Sequence, residues 1–160
     1  MTQPQETEKE IRKKISALLE SQLLAVLASQ RHGQPYSSLI AFAHSKDLRH
    51  IYFVTPKATR KFINLISEPR VSLLVDSRSN TEVDFHQAEA VTIMGVVSEV
   101  GEDDLAACRS LYLTRHPYLE EFIHSPSTAF LQVTVRSYIL VNNFQHVMEL
   151  HMTDDHDIFA

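Results

Sequence analysis

Two periodicities of apolar residues alternate along this chain. Ile11, Ile15, Leu18 and Leu19 recur on one helical face, with Arg12, Lys13 and Lys14 on the other, the pattern of an amphipathic helix. Thr7 with Glu10 three positions on fits a capping box that would start it. The period then shortens. Residues 23–29 (LLAVLAS) are a short apolar run, which reads as a strand buried on both faces. Turn chemistry at Arg31-His32-Gly33-Gln34-Pro35 leads into residues 36–43 (YSSLIAFA), a second strand. Residues 44–47 turn the chain into Ile51-Tyr52-Phe53-Val54, whose aromatic and β-branched content marks a third.

Thr59-Arg60-Lys61 then opens a short helix in which Phe62, Ile63 and Ile66 recur at helical spacing, and Pro69 ends it. Residues 70–75 (RVSLLV) form a strand, and residues 77–82 a polar loop. Residues 88–100 (AEAVTIMGVVSEV) form a long strand interrupted by Gly95, which signals a bulge or a close backbone approach. Glu102, Asp103 and Asp104 sit where a helix dipole favours acids, ahead of an apolar face of Leu105, Cys108, Leu111 and Tyr112. A second short helix is expected over 118–124. Residues 129–141 form the last strong strand, and Tyr138-Ile139-Leu140-Val141 lacks alternation, so both of its faces should be covered. Six strands, hairpin-like spacing early on and few βαβ units predict a mainly β fold, a six-stranded antiparallel split barrel with flanking helices. One domain is expected over 1–160: a tail and helix to 21, the barrel to 148, and a C-terminal tail over 149–160.

Composition removes several classes. The formal net charge is −5 and the pI about 6.0, against general binding to nucleic acid or an anionic membrane. One cysteine, Cys108, excludes a disulfide framework within the chain and reads as a small core residue. The N-terminus has no apolar signal core and no run reaches spanning length, so a soluble, cytoplasmic protein is expected. Locally the charge reverses. Between residues 57 and 78, Lys57, Arg60, Lys61, Arg70 and Arg78 face only Glu68 and Asp76. A patch this small suits a small anion.

Thr55 closes the third strand, and Thr59, Arg60 and Lys61 begin the helix after it. The first amides of a helix lack intrahelical partners and its dipole attracts anions, while the hydroxyl and the two cations supply charge-assisted hydrogen bonds. The same residues also read as a cap with a solvated cationic face. Ser37 and Ser38, early in the second strand, are further candidates to face a ligand.

LLAVLAS, HGQPYSSLIAFA, IYFVT, ATRKFINL, EPRVSLLVD and EAVTIMGVVSEV, in this order and spacing, resemble the FMN-binding split-barrel family related to pyridoxamine 5′-phosphate oxidase. The resemblance implies that Thr59, Arg60 and Lys61 grip the flavin phosphate with Thr55 beside them. It also implies a homodimer with flavin at the subunit interface. Ser37, Ser38, Lys57 and Arg78 complete the expected cofactor set. Catalytic residues and substrate are not implied. The oxidase's second-strand arginine is replaced by Ser38 and its flavin-contacting glutamine by Ala90. Its C-terminal tryptophan–arginine motif is absent and the chain has no Trp, so pyridoxamine phosphate oxidation itself is not expected.

A haem-utilisation branch of that family resembles the chain through His32-Gly33-Gln34-Pro35 and the C-terminal histidines. The resemblance offers His146, His151 and His156 as iron ligands. Their spacing of five suits neither one helix face nor one strand face, and solvated histidines are the simpler expectation. The leading expectation is an FMN-dependent oxidoreductase in which the flavin does the chemistry. Haem binding and a non-catalytic FMN electron carrier are the alternatives.

Overall fold

The computed structural model describes residues 6–142 and 146–152. The chain runs α1 (Glu8–Ser21), β1 (Leu24–Arg31), β2 (Gln34–Ala41), β3 (Ala43–His44), β4 (His50–Pro56), α2 (Arg60–Ser67), β5 (Arg70–Asp76), α3 (Asp84–Gln87), β6 (Ala90–Glu99), α4 (Glu102–Arg115), a 3₁₀ turn (Pro117–Leu119), α5 (Glu120–His124), β7 (Thr128–Asn142) and β8 (His146–His151). All eight strands belong to one sheet of order β2-β1-β5-β6-β7-β4-β3, with β8 paired to β7.

The sheet curls because its two ends belong to one bent strand. β2 pairs with β1 along its length, while β3, one residue later, pairs with β4 at the opposite edge. Counting β2 and β3 as one stave gives seven staves, the six expected and β8 beside β7, with every pairing antiparallel. Phe42, fully buried, is the pivot. The last turn of α4 holds it. The Tyr112 hydroxyl donates to the Ala41 carbonyl at 3.1 Å. His116 Nε2 lies 2.7 Å from the Phe42 carbonyl oxygen, which only accepts, so that nitrogen carries the proton. Arg115 lies over the Phe42 ring, 5.8 Å from its centroid, and donates to the carbonyls of Leu19, Glu20 and Gln22. Those carbonyls end α1, where only that of Leu19 also meets a backbone amide, the Gln22 N–H at 3.4 Å.

There are two apolar layers. The barrel interior holds Ile15 and Leu19 from α1 with Leu27, Phe42, Phe53, Ile93 and Tyr138. A second cluster, on the outer side of β4 and β7, packs Tyr52, Val54 and Phe130 against Tyr112 and Ile123 of the α4–α5 region, with Cys108 partly buried against it. β4 is therefore covered on both faces. Thr7 and Glu10 form the expected capping box. At Gly95 the register with β7 shifts, and a Cβ there would meet the Thr134 carbonyl oxygen at 2.4 Å. Bulge and close approach coincide.

Several expectations are corrected. β1 is not buried on both faces: Ala25, Leu27 and Ser29 are buried while Leu24 is exposed and Val26 half-buried. In β7, Tyr138 and Leu140 are buried but Ile139 and Val141 only half so. In α2 the buried residues are Asn64 and Leu65, whereas Ile63 and Ile66 are exposed. The presumed tail from 149 includes Glu149–His151 of β8, whose Met148 and Leu150 close the barrel interior. His156 lies outside the described residues. The helix α3 was not foreseen.

Candidate functional site

The site is built where β4 runs out and α2 begins. Thr55, the last inward residue of β4 before Pro56, is fully buried. Its hydroxyl lies 3.3 Å from that of Thr59. Thr59 is a true N-cap: its Oγ1 accepts from the Phe62 amide at 3.2 Å and donates to the Pro56 carbonyl at 3.0 Å. Both threonines are thus spent on the turn. The Ile63 amide reaches the Thr59 carbonyl, so the Arg60 and Lys61 amides are left as the free donors of this helix start.

Arg60 and Lys61 leave the helix about 100° apart. Arg60 stands over the Tyr36 ring, 5.7 Å from its centroid, which leaves its guanidinium edge free to donate. Lys61 is half-buried, and burial lowers its pKa from the ordinary 10.5. Neither side chain makes an ion pair or a hydrogen bond among the described residues. Lys57, in the turn, is exposed. Two unpaired cations and two free amides at one helix start form an arrangement that can hold a phosphate.

The other expected residues divide. Ser38 faces the barrel interior beside Tyr36, and its Oγ is buried without a partner. Ser37, one position away, faces outward and is exposed. Strand alternation allows only one of the two on a given face. Arg78 follows β5 and pairs with Asp76 at 2.9 Å. Asp76 is opposite Ala90, which is opposite Val141, whereas Thr55 is opposite Ala129. Arg78 is therefore at the far end of β7 from the helix start, and the single chain does not bring it to the site. His146 is half-buried and His151 exposed, at odd separation on β8 and so on opposite faces. Among the described residues no cluster of metal ligands occurs.

Sequence reasoning missed Tyr36, Arg31 and Asn64. A cavity of about 220 Å³ lies between the β1–β2 hairpin and the flank of α2, lined by Arg31, His32, Gln34, Tyr36, Arg60 and Asn64. The available signal was the i, i+4 spacing of Arg60 and Asn64, which places both on one flank of α2.

With the geometry in place, comparison with known proteins is informative. No curated protein matches the sequence. Solved structures match over most of the chain at identities that speak to the fold alone. A haem-binding protein from Mycobacterium smegmatis shares 18% identity at a TM-score of 0.77, over 94% of this chain and 60% of its own length. ChuZ from Campylobacter jejuni shares 10% at 0.77, over 92% of this chain and 62% of its own. A FAD-binding protein from Mesorhizobium loti shares 17% at 0.65, over 80% and 90% respectively. The chain thus spans about three fifths of the first two proteins. The family model described as pyridoxamine 5′-phosphate oxidase matches residues 11–142, from α1 to the end of β7, and on that span the chain belongs to the pyridoxamine 5′-phosphate oxidase family.

Proposed function

We propose that this protein binds FMN through its phosphate at the start of α2 and works as a flavin-dependent oxidoreductase distinct from pyridoxamine phosphate oxidation. The observation that carries the reading is Lys61: a half-buried ammonium without a counter-charge, next to Arg60 and two free helix amides. Taking a cation partly out of water without a partner is unfavourable, and a phosphate dianion there offsets that cost. Family membership supports the same ligand. When bound, FMN supplies the hydride and electron chemistry. The chain's residues hold the phosphate with Lys61, Arg60 and the amides, while the Thr55–Thr59 turn, anchored by the buried Thr55, fixes where those amides point.

The protein works as a homodimer in this reading. The outer face of the sheet carries a row across strands in register, Leu39–Val26–Leu74–Thr92–Ile139. Leu39 and Leu74 on it are exposed, as are the nearby Leu24 and Val147. A mainly apolar row on a sheet, interrupted here only by Thr92 between Leu74 and Ile139, is a surface for association. No helix among the described residues is long and apolar enough to cross a membrane.

The test is FMN titration of the parent and of a double Arg60→Ala, Lys61→Ala variant. Each charged hydrogen bond contributes about 1.5–3 kcal/mol. Losing both weakens FMN by about a hundredfold to ten-thousandfold if additive, while riboflavin, lacking the phosphate, binds both proteins alike. Equal FMN affinity in the two proteins refutes the assignment. A Soret band in place of flavin bands in the purified protein would transfer the function to haem. Among the described residues His146 and His151 lie on opposite faces of β8 and do not converge on one iron.

A further inference from the structure

The cavity beside α2 has a composition that the flavin grip does not explain. Two guanidiniums, Arg31 and Arg60, border it with His32 and the amides of Gln34 and Asn64, and no carboxylate lines it. Asn64 is 3% exposed and lines this cavity from its buried side. The Arg31 side chain lacks an ion pair among the described residues. The hairpin holds this arrangement in place. His32 and Gly33 have φ of 52° and 79°, the positive pair of a two-residue I′-type turn, and they set Arg31 directly opposite Gln34. At about 220 Å³, the cavity is below the roughly 300–1,000 Å³ of drug-sized ligand pockets, a size that suits an acid group with few attached atoms.

We propose that this cavity is an anion subsite for the phosphate or carboxylate end of a small substrate, held by Arg31 and Asn64 with Arg60 on its border. The proposal goes beyond the flavin reading, with which it shares only Arg60. Arg31 supplies a planar fork of donors suited to an oxyanion. Asn64 supplies an amide donor from the buried side, and Tyr36 holds the Arg60 guanidinium in place from beneath.

The experiment titrates inorganic phosphate, and in parallel malonate, into the full chain with and without saturating FMN, by calorimetry. It compares the parent with Arg31→Ala and Lys61→Ala. Phosphate or malonate is expected to bind the parent, and to keep binding when FMN is present. Whichever acid binds more tightly names the class. Arg31→Ala is expected to weaken the acid about tenfold to a hundredfold and to leave FMN within about twofold. Lys61→Ala is expected to do the reverse. Absence of binding by either acid to the parent at tens of millimolar overturns the proposal. So does displacement of the acid by FMN together with an equal loss of FMN affinity in Arg31→Ala, which would make the cavity the seat of the flavin phosphate itself. If FMN fails to bind at all, the flavin reading falls, while the acid titrations of the parent and the two variants still decide the subsite.

Discussion

Replacing Gly95 by alanine tests the construction of the barrel at its tightest point. The added Cβ would lie 2.4 Å from the Thr134 carbonyl oxygen and 2.7 Å from Val133 Cγ1, against an ordinary contact of 3.4–4 Å. The nearer obstacle is backbone in β7, so relief requires β6 and β7 to part by about 1 Å rather than one side chain to rotate. Overpacking of this kind costs about 1–3 kcal/mol, and loosening a neighbouring ladder hydrogen bond adds about 1 kcal/mol. The reduced freedom of the unfolded chain returns about 0.4–1 kcal/mol. The net expectation is a loss of about 1–3.5 kcal/mol. With a urea slope of about 2 kcal/mol per molar, the unfolding midpoint falls by about 0.5–1.8 M. Gly101→Ala is the control: a Cβ there meets nothing within 4 Å, and only the cap of α4 changes, at a cost below about 1 kcal/mol. A Gly95→Ala midpoint within about 0.2 M of the parent refutes the reasoning.

Tyr138→Phe removes a buried hydroxyl that donates to the Leu48 carbonyl at 2.6 Å. Leaving that carbonyl unpaired costs about 1–3 kcal/mol, read in the same urea titration. Arg115→Ala removes a donor from the carbonyls of Leu19, Glu20 and Gln22, so amide exchange at the end of α1 is expected to quicken before global unfolding does. Asp47 has its pKa lowered below 3.8, first by the Ser45 hydroxyl and then by the Arg49 amide. Its contribution is therefore present above the unfolded value near 3.8 and lost as pH falls through the lower folded value. Asp47→Asn is expected to flatten the acid limb of stability below about pH 4, and an unchanged limb counts against it.

The strand content was legible because aromatic and β-branched runs were separated by clear turn residues, and Gly95 stood out inside one of them. What misled was apolar surface. Leu24 and Val26 made β1 look doubly buried, although they face outward. Ile63 and Ile66 defined the visible stripe of α2, yet Leu65 packs into the barrel core and Asn64 is buried beside the hairpin. Hydrophobicity marks what avoids water in the assembled protein, and periodicity alone does not say whether the cover comes from this chain or from another. In β8 the error ran the other way. Histidines and an acid at 146, 149 and 151 hid the inward pair Met148 and Leu150. At the site, local sequence showed the Thr59 cap and the two cations but not Arg31. The β1–β2 hairpin meets α2 only through the curl of the sheet, a long-range consequence of the bend at Phe42.

The same long-range burial makes Lys61 a pH probe of the proposed grip. Burial alone lowers its pKa from 10.5, so in the free protein the ammonium loses its proton at a lower pH than an exposed lysine would. For stability the sign follows: a lysine with a depressed folded value destabilises while charged, and that penalty lifts as pH rises past the folded value. For binding the sign is opposite, because a phosphate dianion favours the charged form. FMN affinity is therefore expected to hold near neutrality and to fall as pH rises through the lowered folded value, before 10.5. Lys61→Arg stays charged throughout, so it should retain much of the affinity and lose this alkaline limb. Lys61→Ala should bind weakly at every pH with no limb. Riboflavin, carrying the same ring without the phosphate, sets the baseline for ring ionisation. If parent and Lys61→Arg fall together with pH after that baseline is subtracted, Lys61 does not meet the phosphate, and the cation partly buried at the start of α2 needs another explanation.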